Sequence, residues 1–181
     1  NGITWSEPVK LTDGEKWHQA PCNVHYWNGF VYLVMEKTVY DDVLGWSVSV
    51  IAPILMKGKT NADLTKKGNW VFASEVAFRD IVNVEELNYF GVPFFSTAPK
   101  EQNFPAPKRD CAPMGWLETN VVRIVDPDNY WFDPEFKTLH LWMRAHTAGT
   151  GYAAVAKVVE NPDGTMTTML ETVPSGKKAL Y

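Results

Sequence analysis

The chain has 181 residues and is 45% hydrophobic, long enough to bury a substantial core within the single-domain range and too apolar for a disordered segment. Its 17 basic and 21 acidic residues are scattered without runs, and with a formal charge of −4 they argue against a nucleic-acid surface or a polybasic membrane patch. No apolar stretch approaches the ~20 residues that span a bilayer, and no charged-then-apolar leader opens the chain, so a signal peptide, if one exists, lies upstream.

Residues 1–5 (NGITW) followed by 6–11 (SEPVKL) read as a turn feeding a strand. Two β-rich runs, 21–27 and 30–37, are joined by Asn28-Gly29, the strongest short hairpin signal. A third run, 46–53 (WSVSVIAP), alternates strictly, and a fourth, 70–76, follows the polar turn at 65–69. Four short strands without helical periodicity make one antiparallel meander. Residues 80–114 are rich in Pro, Phe and polar side chains and read as a long insertion.

The second half repeats the first. Run 117–125 matches the first strand, with Asn120-Val121 where Asn23-Val24 falls. Run 139–146 matches the second, setting Met143-Arg144 against Met35-Glu36. Run 151–158 matches 45–52, and Asp163-Gly164 turns into the fourth strand at 165–172. Residues 177–181 open another first strand. Radially repeated four-stranded sheets predict an all-β fold, a β-propeller of antiparallel blades. The expected domain covers 1–181: blade strands at about 1–11, 21–76, 115–172 and 177–181, part of a five- or six-bladed ring. Open edges then call for missing blades of the same chain or a ring-closing homo-oligomer.

Gly2-x-Thr4-Trp5 matches the tail of the Asp-box, S-x-D-x-G-x-T-W, and the turns at Gly68-Asn69-Trp70 and Asp163-Gly164-Thr165 are degenerate versions. Further matches run in order through Trp17-His18-x-Ala20-Pro21, Asn28-Gly29, Met35-Glu36, Ala62-Asp63-Leu64, Asn69-Trp70 and Gly115-Trp116-Leu117-Glu118-x-Asn120. On these residues the chain resembles the sialidase-like propeller proteins with bacterial neuraminidase repeats, common in Bacteroidetes and grouped with exo-sialidases, whose members rarely have an assigned substrate. The resemblance implies a secreted or periplasmic carbohydrate-active protein, an Asp-box tying the turn between third and fourth strands, and a Trp packed between blades. Arg79, Arg109, Arg123 and Arg144 do not fall into that family's carboxylate-gripping arginine triad.

Propeller ligand sites gather at one end of the channel, which singles out residues opening first strands and ending second strands. Glu36 and Glu118 are the candidate carboxyl pair of a glycoside hydrolase, one acid and one nucleophile or base; the alternative is salt-bridged strand-end carboxylates, with Arg144 or Arg123 as partner. His18 is a candidate catalytic base or sugar ligand, or a structural histidine. Arg144 and His146, two apart on one strand, share a face and suit an anionic group. Trp17, Trp46 and Trp116 are candidate sugar platforms or packing between blades. His25 and His140 read as structural, and Asp41-Asp42 as solvated loop charges. Cys22 and Cys111 form one long disulfide or stay as thiols, and without CxxC or Cys/His spacing no metal or other cofactor is expected. The function follows as glycan hydrolysis, with a non-catalytic glycan-binding module and a lyase using His18 as the alternatives. The expected partner is the glycan substrate.

Overall fold

The computed structural model describes residues 2–12, 14, 16–20, 22–43, 47–81, 113–147 and 152–171. They form two antiparallel sheets. The first comprises β1 (Trp17–His18), β2 (His25–Trp27), β3 (Phe30–Thr38), β4 (Ile51–Lys59) and β5 (Trp70–Phe72), with β1 and β2 both pairing along one edge of β3. The second runs in simple order through β6 (Pro113–Val122), β7 (Thr138–Thr147), β8 (Tyr152–Glu160) and β9 (Met166–Leu170). A single turn of helix, α1 (Phe78–Ile81), follows the first sheet. Taking β1 and β2 as one interrupted strand, the two sheets are the two repeated meanders; among the described residues neither closes on itself.

The hairpin prediction at Asn28-Gly29 holds in detail. Trp27 pairs with Phe30 across a two-residue turn, and Asn28 and Gly29 take φ of 47° and 79°, the positive values that a turn matching strand twist requires. The registers also keep Met35-Glu36 equivalent to Met143-Arg144: Glu36 sits opposite His18, and Arg144 opposite Leu117.

Three strand expectations need correction. Residues 6–11 form no strand, and Trp5, expected between blades, is 87% exposed. The first strand does not run through 21–27; it splits into β1 and β2, with 19–24 leaving the ladder. The third strand is 51–59 rather than 46–53, because Ser47–Val50 coil into a 3-10 turn with Val48, Ser49 and Val50 all buried. Alternation of Val and Ser there reflects packing of a turn on all sides. The Val39 N–H closes this loop onto the Val50 carbonyl at 2.8 Å, and the ladder starts at the next residue. Since Met35 pairs with Ile54 and Met143 with Ala154, the true counterpart of Ala154 is Ile54, six residues beyond the Val48 that the sequence alignment selects. Pro53 is tolerated within β4 because β5 pairs only with Met56 to Gly58, leaving the strand an edge at that point.

The shifted register makes the turns before β5 and β9 equivalent. In each, an aspartate receives the backbone N–H and hydroxyl of the threonine two residues on: Asp63 from Thr65 at 3.1 and 2.5 Å, Asp163 from Thr165 at 2.9 and 2.6 Å. These bonds hold both carboxyls below the usual carboxylate range.

The sheets meet face to face. Tyr32 and Val34 of β3, Leu55 of β4, Trp116 and Val121 of β6, and Leu139, Leu141 and Met143 of β7 form one buried cluster. Polar joints stitch both edges. At the first-strand edge the Asn23 side chain donates to the Val121 carbonyl at 2.8 Å and accepts from the Val121 N–H at 2.7 Å, standing in for a neighbouring strand. At the last-strand edge the Ser74 N–H donates to the Met166 carbonyl and Ser74 Oγ accepts from the Thr168 N–H. First strand thus lies by first strand, and last by last.

Candidate functional site

The β1–β3 register places His18 directly across from Glu36. Glu36 follows Tyr32 and Val34 at the strand period of two, so it projects from the face that packs on the second sheet and is 2% exposed. A buried carboxylate needs its oxygens satisfied. Oε2 lies 2.7 Å from His18 Nδ1, and Oε1 accepts the Glu118 backbone N–H at 2.6 Å. One acid therefore ties the edge of its own sheet to the neighbouring sheet.

Glu118 is brought there by a bulge. The β6–β7 register slips between Leu117 and Asn120, and Glu118 takes φ of 60°, a left-handed conformation uncommon outside glycine. Its N–H turns toward Glu36, while its carboxylate reaches Arg144, whose Nη2 donates to Oε1 at 3.1 Å. The side chains of His18, Glu118 and Arg144 remain 55, 39 and 46% exposed. The result is a continuous line, His18 to Glu36 to Glu118 to Arg144, with one buried member and three open to solvent.

With Glu36 as a carboxylate, the pair fixes the tautomer. Nδ1 carries the proton, leaving Nε2 as the basic nitrogen. A carboxylate behind an exposed imidazole is the arrangement that orients a general base. Glu118, salt-bridged to Arg144, fits the alternative reading of a paired strand-end carboxylate and is also the carboxyl left accessible.

The remaining candidates separate. Trp17 is half-buried on β1, its ring 6.2 Å from Phe72 with the Lys37 ammonium 5.8 Å from its centroid. Trp116 is fully buried and meets Phe78 edge-on at 5.5 Å, so it offers no face to a ligand. Trp46 lies outside the described residues. The backbone of His146, on β7, pairs with Gly115 of β6, and the His146 side chain is outside the described set. Of the expected 80–114 insertion, only its first and last two residues are described.

His140 is buried beneath Trp131 at 5.3 Å, with Nε2 2.8 Å from Glu171. His25 is held below its ordinary pKa by burial and then by Arg123, and so favours the neutral form. Asp41 and Asp42 are solvated loop charges as expected, with side chains 98 and 72% exposed, and each faces a cation: Asp42 accepts from Arg79 at 2.6 Å and Asp41 lies 3.5 Å from Lys16. Cys22 is a free thiol whose Sγ lies 3.7 Å from the Val34 carbonyl. Among the described residues no group of three or more His, Cys, Asp or Glu side chains is placed to hold a metal ion, and no helix is long and apolar enough to cross a membrane.

Sequence reasoning overlooked the role of Asn23, although its alignment with Asn120 pointed to the position; the Asn23 N–H donates to Asn120 Oδ1 at 3.1 Å. Nothing in the sequence marks the aromatic cleft around Trp27 and Arg123 at the opposite end of β3. Comparison of the chain with known protein families, curated proteins and solved structures yields no match.

Proposed function

We propose that the chain is part of a carbohydrate-active protein of sialidase-like β-propeller fold that cleaves a complex glycan, with His18 as its proton-transfer group. The observation that carries this reading is the line of contacts from the His18 ring through Glu36 to Glu118 and Arg144. In it Glu36 is a positioning residue that holds the imidazole, and Nε2 acts on the substrate or on a water. Glu118 supplies the exposed carboxyl of a hydrolase, and Arg144 binds a sugar hydroxyl or carboxylate. The propeller reading draws support from two meanders stacked first strand to first strand and last to last, and from the matching Asp63 and Asp163 turns. The two sheets among the described residues close no ring, so the reading places further blades on the same chain or on copies of it. The family resemblance, rather than any contact in the fold, suggests a secreted or periplasmic location.

A second reaction type has its own observation. Both Glu36 oxygens are engaged, which leaves Glu118 as a lone carboxyl where hydrolysis uses a pair. In the lyase reading His18 Nε2 removes the proton beside a uronate carboxyl, the C–H electrons form the new double bond, and the glycosidic oxygen leaves with the C–O pair.

Incubation with defined neutral and uronate-containing glycans separates these outcomes. Hydrolysis yields new reducing ends alone; elimination adds an unsaturated product absorbing in the near ultraviolet. His18→Ala should lower turnover by at least about 100-fold. Glu36→Gln should lower it by about tenfold and shift the pH profile, because the orienting charge is lost. Binding without product from any of these glycans would sink the cleavage assignment in favour of a non-catalytic module.

A further inference from the structure

Between the two sheets, at the end of β3 remote from Glu36, lies a cleft of about 570 Å³. Tyr32, on its wall, precedes Glu36 by four residues, roughly 13 Å along the strand. We infer that this cleft is a second saccharide site, which holds a neutral pyranose of a glycan chain without turning it over.

The lining has two components. Trp27 and Phe136, both half-buried, stand with ring centroids 5.3 Å apart and planes inclined at 35°, and half-buried Phe30 lies beneath the Lys57 ammonium at 4.2 Å. Around these apolar faces runs a polar set in which every cation already faces a carboxylate. Lys57 Nζ is 2.6 Å from Glu160 Oε2, Tyr32 donates to Glu160 Oε1 at 2.8 Å, and Arg123 Nη2 lies 3.7 Å from the same oxygen. At the rim Lys137 pairs with Glu135. The Arg123 side chain is 1% exposed, and among the described residues its Nε has no hydrogen-bond partner.

This lining selects by chemistry. A pyranose presents an apolar face for stacking on aromatic rings and a girdle of hydroxyls that both donate and accept. Carboxylates and ammonium groups side by side suit such a girdle. A phosphate or sulfate would meet Glu160 and Glu135, and a wholly apolar ligand would desolvate Lys57 without replacing its water. Burial, then the bond to Glu160, raises the Tyr32 pKa well above its ordinary value, so its hydroxyl remains a donor. Glu160, held by Lys57 and Tyr32, is not an available acid or nucleophile.

The cleft is also pre-shaped. Phe136 adopts φ of 53°, a rare state for a bulky residue, and its carbonyl accepts from Arg123. Asp133 fixes that conformation by accepting the N–H groups of Glu135, Lys137 and Thr138 at 3.0, 2.9 and 2.9 Å. Rigid aromatic walls reduce the ordering cost of binding.

The inference does not depend on His18, and its test reads binding, not turnover. The chain is titrated with cellohexaose, mannohexaose and xylohexaose, with a galacturonate hexamer as the charged arm, by calorimetry and tryptophan fluorescence. At least one neutral hexaose should bind, and Trp27→Ala and Lys57→Met should each raise its Kd by about tenfold or more, equivalent to about 1.4 kcal/mol. Asp63→Asn, changed in a turn outside the cleft, should leave that Kd unchanged. No binding of any neutral hexaose, binding of the galacturonate hexamer alone, or a Kd indifferent to Lys57→Met overturns the inference. If Trp27→Ala does not fold, Trp27→Phe with Lys57→Met carries the same decision.

Discussion

Glu118 sits in a left-handed conformation that costs an ordinary side chain roughly 1–2 kcal/mol, and it does so within a bulge that both aims its amide at Glu36 and turns its carboxylate to Arg144. The backbone twist, more than the ion pair, is what the position demands, since a half-exposed pair contributes about 0–1 kcal/mol. Glu118→Gly, which relieves the twist but loses the pair, is expected to unfold within about 1 kcal/mol of the parent. Glu118→Val should be less stable than Glu118→Gly by about 1–2 kcal/mol, because a branched side chain tolerates that twist poorly. Urea denaturation of the two variants checks the order. At this scale the sequence supplied His18, Glu36, Glu118 and Arg144 as separate candidates through their repeat positions. It did not disclose that Glu36 receives the Glu118 amide across the sheets, because a bulge leaves no periodic trace and only the bulge brings that amide within reach.

The strand elements show where periodicity works and where it misleads. Hairpin β2–β3 was legible because Asn28-Gly29 dictates both turn and register. The third strand was displaced because a buried 3-10 turn and a half-buried strand both alternate Val with Ser. That turn is seated tightly: a Cβ on Gly115 would stand 2.3 Å from the Val48 carbonyl oxygen. Gly115→Ala should therefore cost about 3 kcal/mol, measured as a lowered denaturation midpoint. The two aspartate turns make a paired prediction. Asp63 and Asp163 titrate below their unfolded value, so their contribution is complete above that value, near pH 4, and is lost as pH falls toward the folded one. Acid denaturation followed by circular dichroism should lose part of its steepness in Asp63→Asn and Asp163→Asn, and by similar amounts, since the two turns bond alike.

Across the whole molecule, cohesion rests on a shared apolar core closed at its edges by polar joints. Asn23 is the clearest of these, because its amide pairs both ways with Val121, a residue 1% exposed. Asn23→Ala removes both bonds and should cost about 2 kcal/mol, with circular dichroism and tryptophan fluorescence still reporting one coincident transition. The Glu36 contacts carry a further consequence. One oxygen meets an exposed ring and the other latches the second sheet, so occupancy at His18 and the grip on Glu118 are thermodynamically reciprocal. A ligand that presses the imidazole onto Glu36 should slow hydrogen exchange at the Glu118 amide, and one that draws it away should hasten exchange. A single backbone proton, on the sheet opposite to His18, thus becomes a gauge of what the histidine is holding.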